Sequence, residues 1–403
     1  MRAPIREQPA EPTGRISRPL VLLLAVATGL SVANLYYIQP LLDEVRHDLG
    51  AGSGVAGLIV TACQLGYLAG IVLLVPLGDL LERRRLLAGL MAAAGVGQAV
   101  VALSWSVEVL FVAVVAVGVL SVTGQMIVAH TASLAAEEER GRVVGTVMSG
   151  LLLGILLART VAGYLAELGG WRTVFWVAAA VMLALAAAIY SALEPYQQDQ
   201  RLGYGALLRS LATLVGEEPV LRRRALLGAA GFGAFSVFWT PLAFLLSGRP
   251  FHYSAGTIGL FGLAGLAGAA AASLAGRVAD AGRARLATGV TAVLMLGAWL
   301  AIGLGGVSGA LAATGWLVLG ALVLDFAVQG LHITNQSEIY RLNPAARSRL
   351  TSTYMAANFA GGVIGSALAS FCWPRWGWTG ISVLGAAFGL VAVVGWLRSL
   401  RRL

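Results

Sequence analysis

Apolar residues run along this chain in long blocks, not singly or in alternation. Twelve blocks, at 20–41, 54–78, 86–105, 108–132, 143–166, 171–193, 225–247, 256–276, 286–305, 309–337, 351–373 and 378–397, stand out from polar connections. Each is close to the roughly 20 residues a helix needs to cross a bilayer. The connections are short except 194–224, which is polar, rich in arginine and splits the helices six and six. The pattern predicts an all-α membrane protein of twelve transmembrane helices. It places one six-helix bundle in 1–193, a cytoplasmic linker at 194–224 and a second bundle in 225–403. The first block is longer than the apolar region of a cleavable signal and ends in Tyr36, Tyr37 and Pro40, so it reads as a helix that is retained.

The halves resemble each other. A shift of 207 positions lays Arg140, Arg142, Met148, Gly154, Gly170 and Trp171 on Arg347, Arg349, Met355, Gly361, Gly377 and Trp378. A shift of 201 lays Asp79 on Asp280. Two halves repeated in the same orientation are expected to relate by an axis along the membrane normal, with a substrate path between them.

Composition agrees: 58% of the 403 residues are hydrophobic and 12% charged. A soluble domain carries about 25% charged residues, so a soluble enzyme and a disordered chain are both excluded. The formal charge of +9 comes with no lysine; all 28 basic residues are arginine. With both termini placed in the cytoplasm, 23 arginines fall in inside segments, four outside and one, Arg159, within a span. The excess of basic residues inside fixes that orientation, and the charge then implies no nucleic-acid partner. The two cysteines, Cys63 and Cys372, lie in apolar runs and make neither a disulfide framework nor a metal site.

The first connection of each half reads VPLGDLLERRR (75–85) and GRVADAGRAR (276–285). An acid at a helix end beside arginines can form a charge–dipole latch that holds one packing of the halves and releases another. The plainer alternative is a topogenic basic loop with a local ion pair. Here the chain resembles the major facilitator superfamily over its whole length. The family's loop motif is matched by Gly78, Asp79, Arg83 and Arg84, and by Gly276, Asp280, Gly282 and Arg283, with Leu80 where an arginine and Glu82 where a glycine is usual. The glycine pattern of the exporter branch is matched by Gly145, Gly154 and Gly163, with Arg159 in place of a proline. Small residues let helix backbones approach closely in lipid, so that face is expected to pack on another helix.

Two deep charges remain. Arg159 would cost roughly 3 kcal/mol alone at the bilayer centre on insertion scales. It reads as a structural arginine satisfied by its neighbours or as a gate whose pairing changes with state. Asp325 shares one helical face with Gln329, His332 and Gln336. A polar stripe on a spanning helix should face a cavity or another helix, not lipid. The resemblance implies that helices one, four, seven and ten line the cavity. The family's acid in helix one and arginine in helix four are both missing. The proton-coupling candidates are therefore Asp325, His332 and Arg159; a network that only orients helices is the alternative. Cavity candidates are Asn34, Tyr37, Gln125, Phe235, Trp239, Gln329, Gln336 and Asn358. Glu338, one turn beyond the stripe, is expected to be solvated.

No catalytic or nucleotide-binding motif appears, so an enzyme, a cofactor and a metal are not expected. The resemblance implies a monomeric secondary transporter of the bacterial inner membrane, with a small-molecule substrate and protons as its partners. Proton-coupled efflux of an amphiphilic compound leads. A sugar or metabolite exporter or importer, and a transport-inactive sensor or scaffold, stay open beside it.

Overall fold

The computed structural model describes residues 16–136, 139–195, 203–306, 309–342 and 347–400. Among them, ten helices are long and apolar enough to cross a membrane, and a shorter apolar helix precedes them. In chain order these are α1 (Arg18–Ala33), α2 (Ser53–Gly78), α3 (Arg83–Ala102), α4 (Val107–Leu134), α5 (Arg140–Gly169) and α6 (Trp171–Ala192). Then follow α7 (Pro219–Ser247), α8 (Ala255–Ala279), α9 (Ala284–Leu304) and α10 (Ala310–Tyr340). The last helix, Arg347–Leu400, holds two spans, α11 (347–376) and α12 (378–400), which meet at Gly377 with φ 53°. Only glycine adopts that backbone freely, so a turn needs no connecting loop there. Twelve crossings result, and the start of α1 at Arg18 and the end of α12 at Leu400 lie on one face, called here the terminal face.

The packing repeats with the sequence. In the first half α1 packs on α5, α2 on α4 and α3 on α6; in the second, α7 packs on α11, α8 on α10 and α9 on α12. The glycines matched at a shift of 207 do the same work in each half. A side chain on Gly154 would strike the Gly29 carbonyl of α1, and one on Gly361 would strike the Ala229 carbonyl of α7. Two seams join the halves, α2 with α11 and α5 with α8.

Two helices are interrupted at equivalent places. The first apolar block is not one helix: α1 ends at Ala33, turns through 34–38, and resumes as the short helices Gln39–Leu41 and Leu42–Asp48. The second half breaks at Thr240–Pro241, between Pro219–Trp239 and Leu242–Ser247. Pro40 and Pro241 each lack the N–H that would continue the ladder. Such breaks are tolerated in a membrane only where protein buries them, and here they deliver polar groups to the middle of the molecule. Leu42–Asp48 and Leu242–Ser247 pack on each other at the face opposite the termini.

Candidate functional site

Arg159 lies on α5, 2% exposed, where the two breaks meet. Its Nε donates to Gln39 Oε1 at 2.7 Å. Its guanidinium stands 4.0 Å from the Trp239 ring centroid, 4.7 Å from Tyr36 and 5.4 Å from Phe235. Gln39 and Tyr36 come from the unwound end of α1, Phe235 and Trp239 from the end of the first segment of α7. A desolvated cation on an aromatic face gains about 2 kcal/mol or more, enough to offset much of the cost of burial. Among the described residues, Arg159 Nη2 has no hydrogen-bond partner. The Trp239 Nε1–H donates to Asp325 Oδ1 at 3.3 Å. Arg159 and Asp325 therefore form no direct ion pair; the indole joins them, its face to the cation and its N–H to the carboxylate. Among the described residues Asp325 is the one carboxylate buried in the protein.

The α5–α8 seam closes over this group. A side chain on Gly259 would come within 2.5 Å of the Arg159 carbonyl, and one on Gly163 would strike the Ala255 carbonyl. Thr160 Oγ1 donates to Gly259 O at 2.9 Å, and Gly256 N donates to Glu167 Oε1 at 3.0 Å. The other seam is polar too: Gln64 Nε2 donates to Ser236 Oγ at 3.1 Å, and Ser366 Oγ donates to Gln64 Oε1 at 3.3 Å. Gly154 packs on α1 and Gly163 on α8, but Gly145 meets nothing within 4 Å. Sequence spacing put all three on packing faces; Gly145 lies too near the terminal end of α5, where the neighbours have diverged.

On the terminal side of Arg159 opens a cavity of about 470 Å³, reaching from Tyr36 and Phe235 to Val75, Val144, Tyr340 and Thr351 near the helix ends. Gln329, His332 and Gln336 line it, as do Gln125, Phe235 and Asn358. Asp325 is buried behind its inner end, so the stripe on α10 runs from a buried acid out to the mouth. His332 Nδ1 lies 3.0 Å from the Tyr354 hydroxyl. Three cavity candidates are elsewhere. Asn34 is buried and donates to Ser121 Oγ at 3.3 Å, Trp239 is the bridge just described, and Tyr37 is buried away from the lining, which takes its neighbour Tyr36.

In the paired loops the described side chains bond within their own halves. Arg83 is buried, and its described bonds stay in the first half: Nε to Gly78 O at 2.9 Å, and Nη1 to His130 Nδ1 at 3.1 Å and Ser133 Oγ at 2.9 Å. Glu82 is the N-cap of α3, accepting from Arg84 N at 2.7 Å and Arg85 N at 3.2 Å. The Arg84 guanidinium lies 4.8 Å from the Tyr190 ring. In the second half Arg283 is exposed, and Arg341 Nη2 holds the loop instead, donating to Ala279 O at 3.1 Å. The side chains of Asp79 and Asp280 lie outside the described residues. Glu338 is not simply solvated: Arg224 Nη2 donates to it at 3.2 Å while Nη1 reaches Thr288 Oγ1 at 2.8 Å. Arg224 opens the second half from α7, and only its fold neighbours reveal it, because nothing in its basic RRR run distinguishes it.

At the opposite face, Asp48 meets Arg172 and accepts from Trp171 Nε1 at 3.2 Å, beside a shallow concavity of about 730 Å³. The Arg172 hydrogen bond, above all, holds the Asp48 carboxyl below the usual carboxylate range.

Two like-handed six-helix groups, joined at two seams and enclosing a central cavity that opens to one face, define a membrane transporter. The model of the Major Facilitator Superfamily matches residues 24–337, and the chain belongs to that family. It is 48% identical over 392 residues to the uncharacterized transporter YgaY of Escherichia coli O157:H7, covering 97% of this chain and 98% of that one. It is 30% identical over 224 residues, 54% of this chain and 57% of the other, to a chloramphenicol resistance protein of Streptomyces lividans. Its fold is similar to that of a bacterial homologue of the human lysosomal transporter Spinster in an inward-facing, unoccupied conformation, with TM-score 0.77 and 15% identity over 96% of this chain and 98% of that one.

Proposed function

We propose that this transporter exports a small amphiphilic compound across the bacterial inner membrane in exchange for protons, with both termini in the cytoplasm. The observation that carries the reading is Asp325. It is a buried carboxylate of the second half, tied through Trp239 to a buried cation of the first half, at the closed end of the cavity. The arginine excess at the terminal face supports the orientation. The name of the Streptomyces lividans relative supports export over import.

In the arrangement described, ionised Asp325 accepts from Trp239 and offsets the charge of Arg159, holding the outer end shut. Substrate entering from the terminal face lies against Tyr36 and Phe235, the rings that also touch Arg159, and so competes with that arrangement. Once the outer end parts, Asp325 meets water and takes a proton. A neutral carboxyl costs less to bury than a carboxylate, so reclosure favours the protonated form. The proton then leaves along the α10 stripe, past Gln329, His332 and Gln336, as Arg159 and Trp239 again take up the charge. His332, held by Tyr354, is the relay in this path. Arg83 and Arg84 act as anchors of the first loop during the rocking of the halves.

The test is substrate flux in inside-out vesicles with an imposed pH gradient. Flux should follow the gradient's size and vanish on its collapse, and Asp325→Asn should abolish it with normal insertion. Gradient-driven flux that survives Asp325→Asn unchanged would sink the assignment.

A further inference from the structure

The cavity has two unlike walls. The first half presents Val32, Ile71, Val128, Met148, Leu151 and Ile155. Its polar groups are few, the hydroxyls of Tyr36 and Tyr67 and the Gln125 amide. The second half presents Gln329, His332, Gln336, Thr351, Tyr354 and Asn358. The amides of Gln329, Gln336 and Asn358 have no hydrogen-bond partner among the described residues, so three donor–acceptor groups face the cavity from one side. Among the described residues, no aspartate, glutamate or arginine contributes to the lining. The nearby buried charges, Arg159 and Asp325, are opposite in sign and stand behind aromatic rings.

We infer that the cavity takes an uncharged amphiphile: an aromatic body that lies on the first half, with hydroxyl or amide groups along the edge that meets α10 and α11. The inference rests on reading this cavity as the substrate site. A volume of about 470 Å³ suits a drug-sized molecule. Phe232 and Phe235 of α7, stacked with centroids 5.4 Å apart, close the inner end from the second half, where the edge of that aromatic body meets them. A charged substrate would leave water for a chamber that offers dipoles but no counter-charge, and that desolvation would go unrepaid.

The experiment is equilibrium binding to the purified full-length protein in lipid nanodiscs, with no gradient, by calorimetry. Three matched probes are used: an N-acetylated aryl propanediol, its deacetylated amine and its N-succinyl acid. The neutral probe should bind about 100-fold more tightly than the amine or the acid. Removing its hydroxyls should weaken binding roughly 10-fold. Asn358→Leu and Gln329→Leu should weaken the hydroxylated probe and leave its deoxy congener little changed. A charged probe that binds native protein as tightly as the neutral one, or no binding by any of the three, overturns the proposal. So does equal weakening of both congeners by the two variants. Neutral selectivity in nanodiscs without gradient-driven flux in vesicles would count against proton exchange and not against the substrate class.

Discussion

At the closed end of the pathway α5 and α8 approach until a glycine on one helix lies on a carbonyl of the other. At the open end α1, α2, α4, α5, α7, α10 and α11 enclose a cavity of about 470 Å³. The closed end concentrates the charge: one buried cation, one buried carboxylate and an indole between them. Among the described residues, the lining of the open end holds dipoles and rings but no aspartate, glutamate or arginine. Under the proposed exchange, the difference gives the two places two tasks. A switch needs a pairing that changes sharply with one proton, and only a buried charge supplies that. A chamber that admits and releases a substrate needs contacts that are individually weak.

The largest expected effect tests the switch. Asp325→Asn removes the charge but keeps the side chain's size, and gradient-driven exchange should fall to the level of empty vesicles. Size-exclusion profiles of the variant should match the native protein; persistent coupled flux would erase the contrast between the two ends.

Next comes packing. Gly259→Val puts branched carbon against the Arg159 carbonyl and should destabilise by about 3 kcal/mol, read as a lower melting temperature in detergent. Gly145→Ala, with nothing within 4 Å, should be neutral or stabilise by roughly 0.5–1 kcal/mol. Equal effects at the two glycines of α5 and α8 would mean that the seam is looser than its geometry.

Trp239→Phe is a finer probe. It keeps a ring over Arg159 but deletes the N–H donated to Asp325, a loss of about 1.5 kcal/mol for a bond to a charged group. The closed end should open more often, and a cysteine placed at Ser247, which lines the concavity at the face opposite the termini, should be labelled faster. Unchanged labelling would remove the hydrogen bond from the switch.

The smallest effect is a pH dependence at the face opposite the termini. Because the folded pKa of Asp48 is the lowered one, its contact with Arg172 stabilises above the ordinary aspartate value of about 4 and fades as pH falls toward the depressed value. Both side chains are well exposed, so the shift in melting temperature between native protein and Asp48→Asn should be slight at neutral pH and disappear in acid.

Much of this architecture was legible in order along the chain. Span length and arginine placement are local quantities, and the repeat that aligned Gly154 with Gly361 pointed to two glycines doing the same job in two halves. The stripe from Asp325 to Gln336 was legible because helical spacing puts those residues on one face whatever surrounds them. Other features had no local signal. The α1 block looked continuous, although its break at 34–38 is what brings Gln39 to Arg159. Glu82 looked like a departure from a motif and is a helix cap. Trp239 looked like one more cavity residue and is the bridge between two charges from different halves.

The sequence by itself determined which segments leave water, how many there are and which of their residues are costly to bury. Those follow from transfer free energies, which belong to each segment independently of its neighbours. The tertiary structure alone decided how the costs are met: Arg159 by Gln39 and three rings, Asp325 by an indole N–H, Glu338 by Arg224. Such pairings depend on where helices cross and where they break, and crossings are set by close approach between residues far apart in the chain.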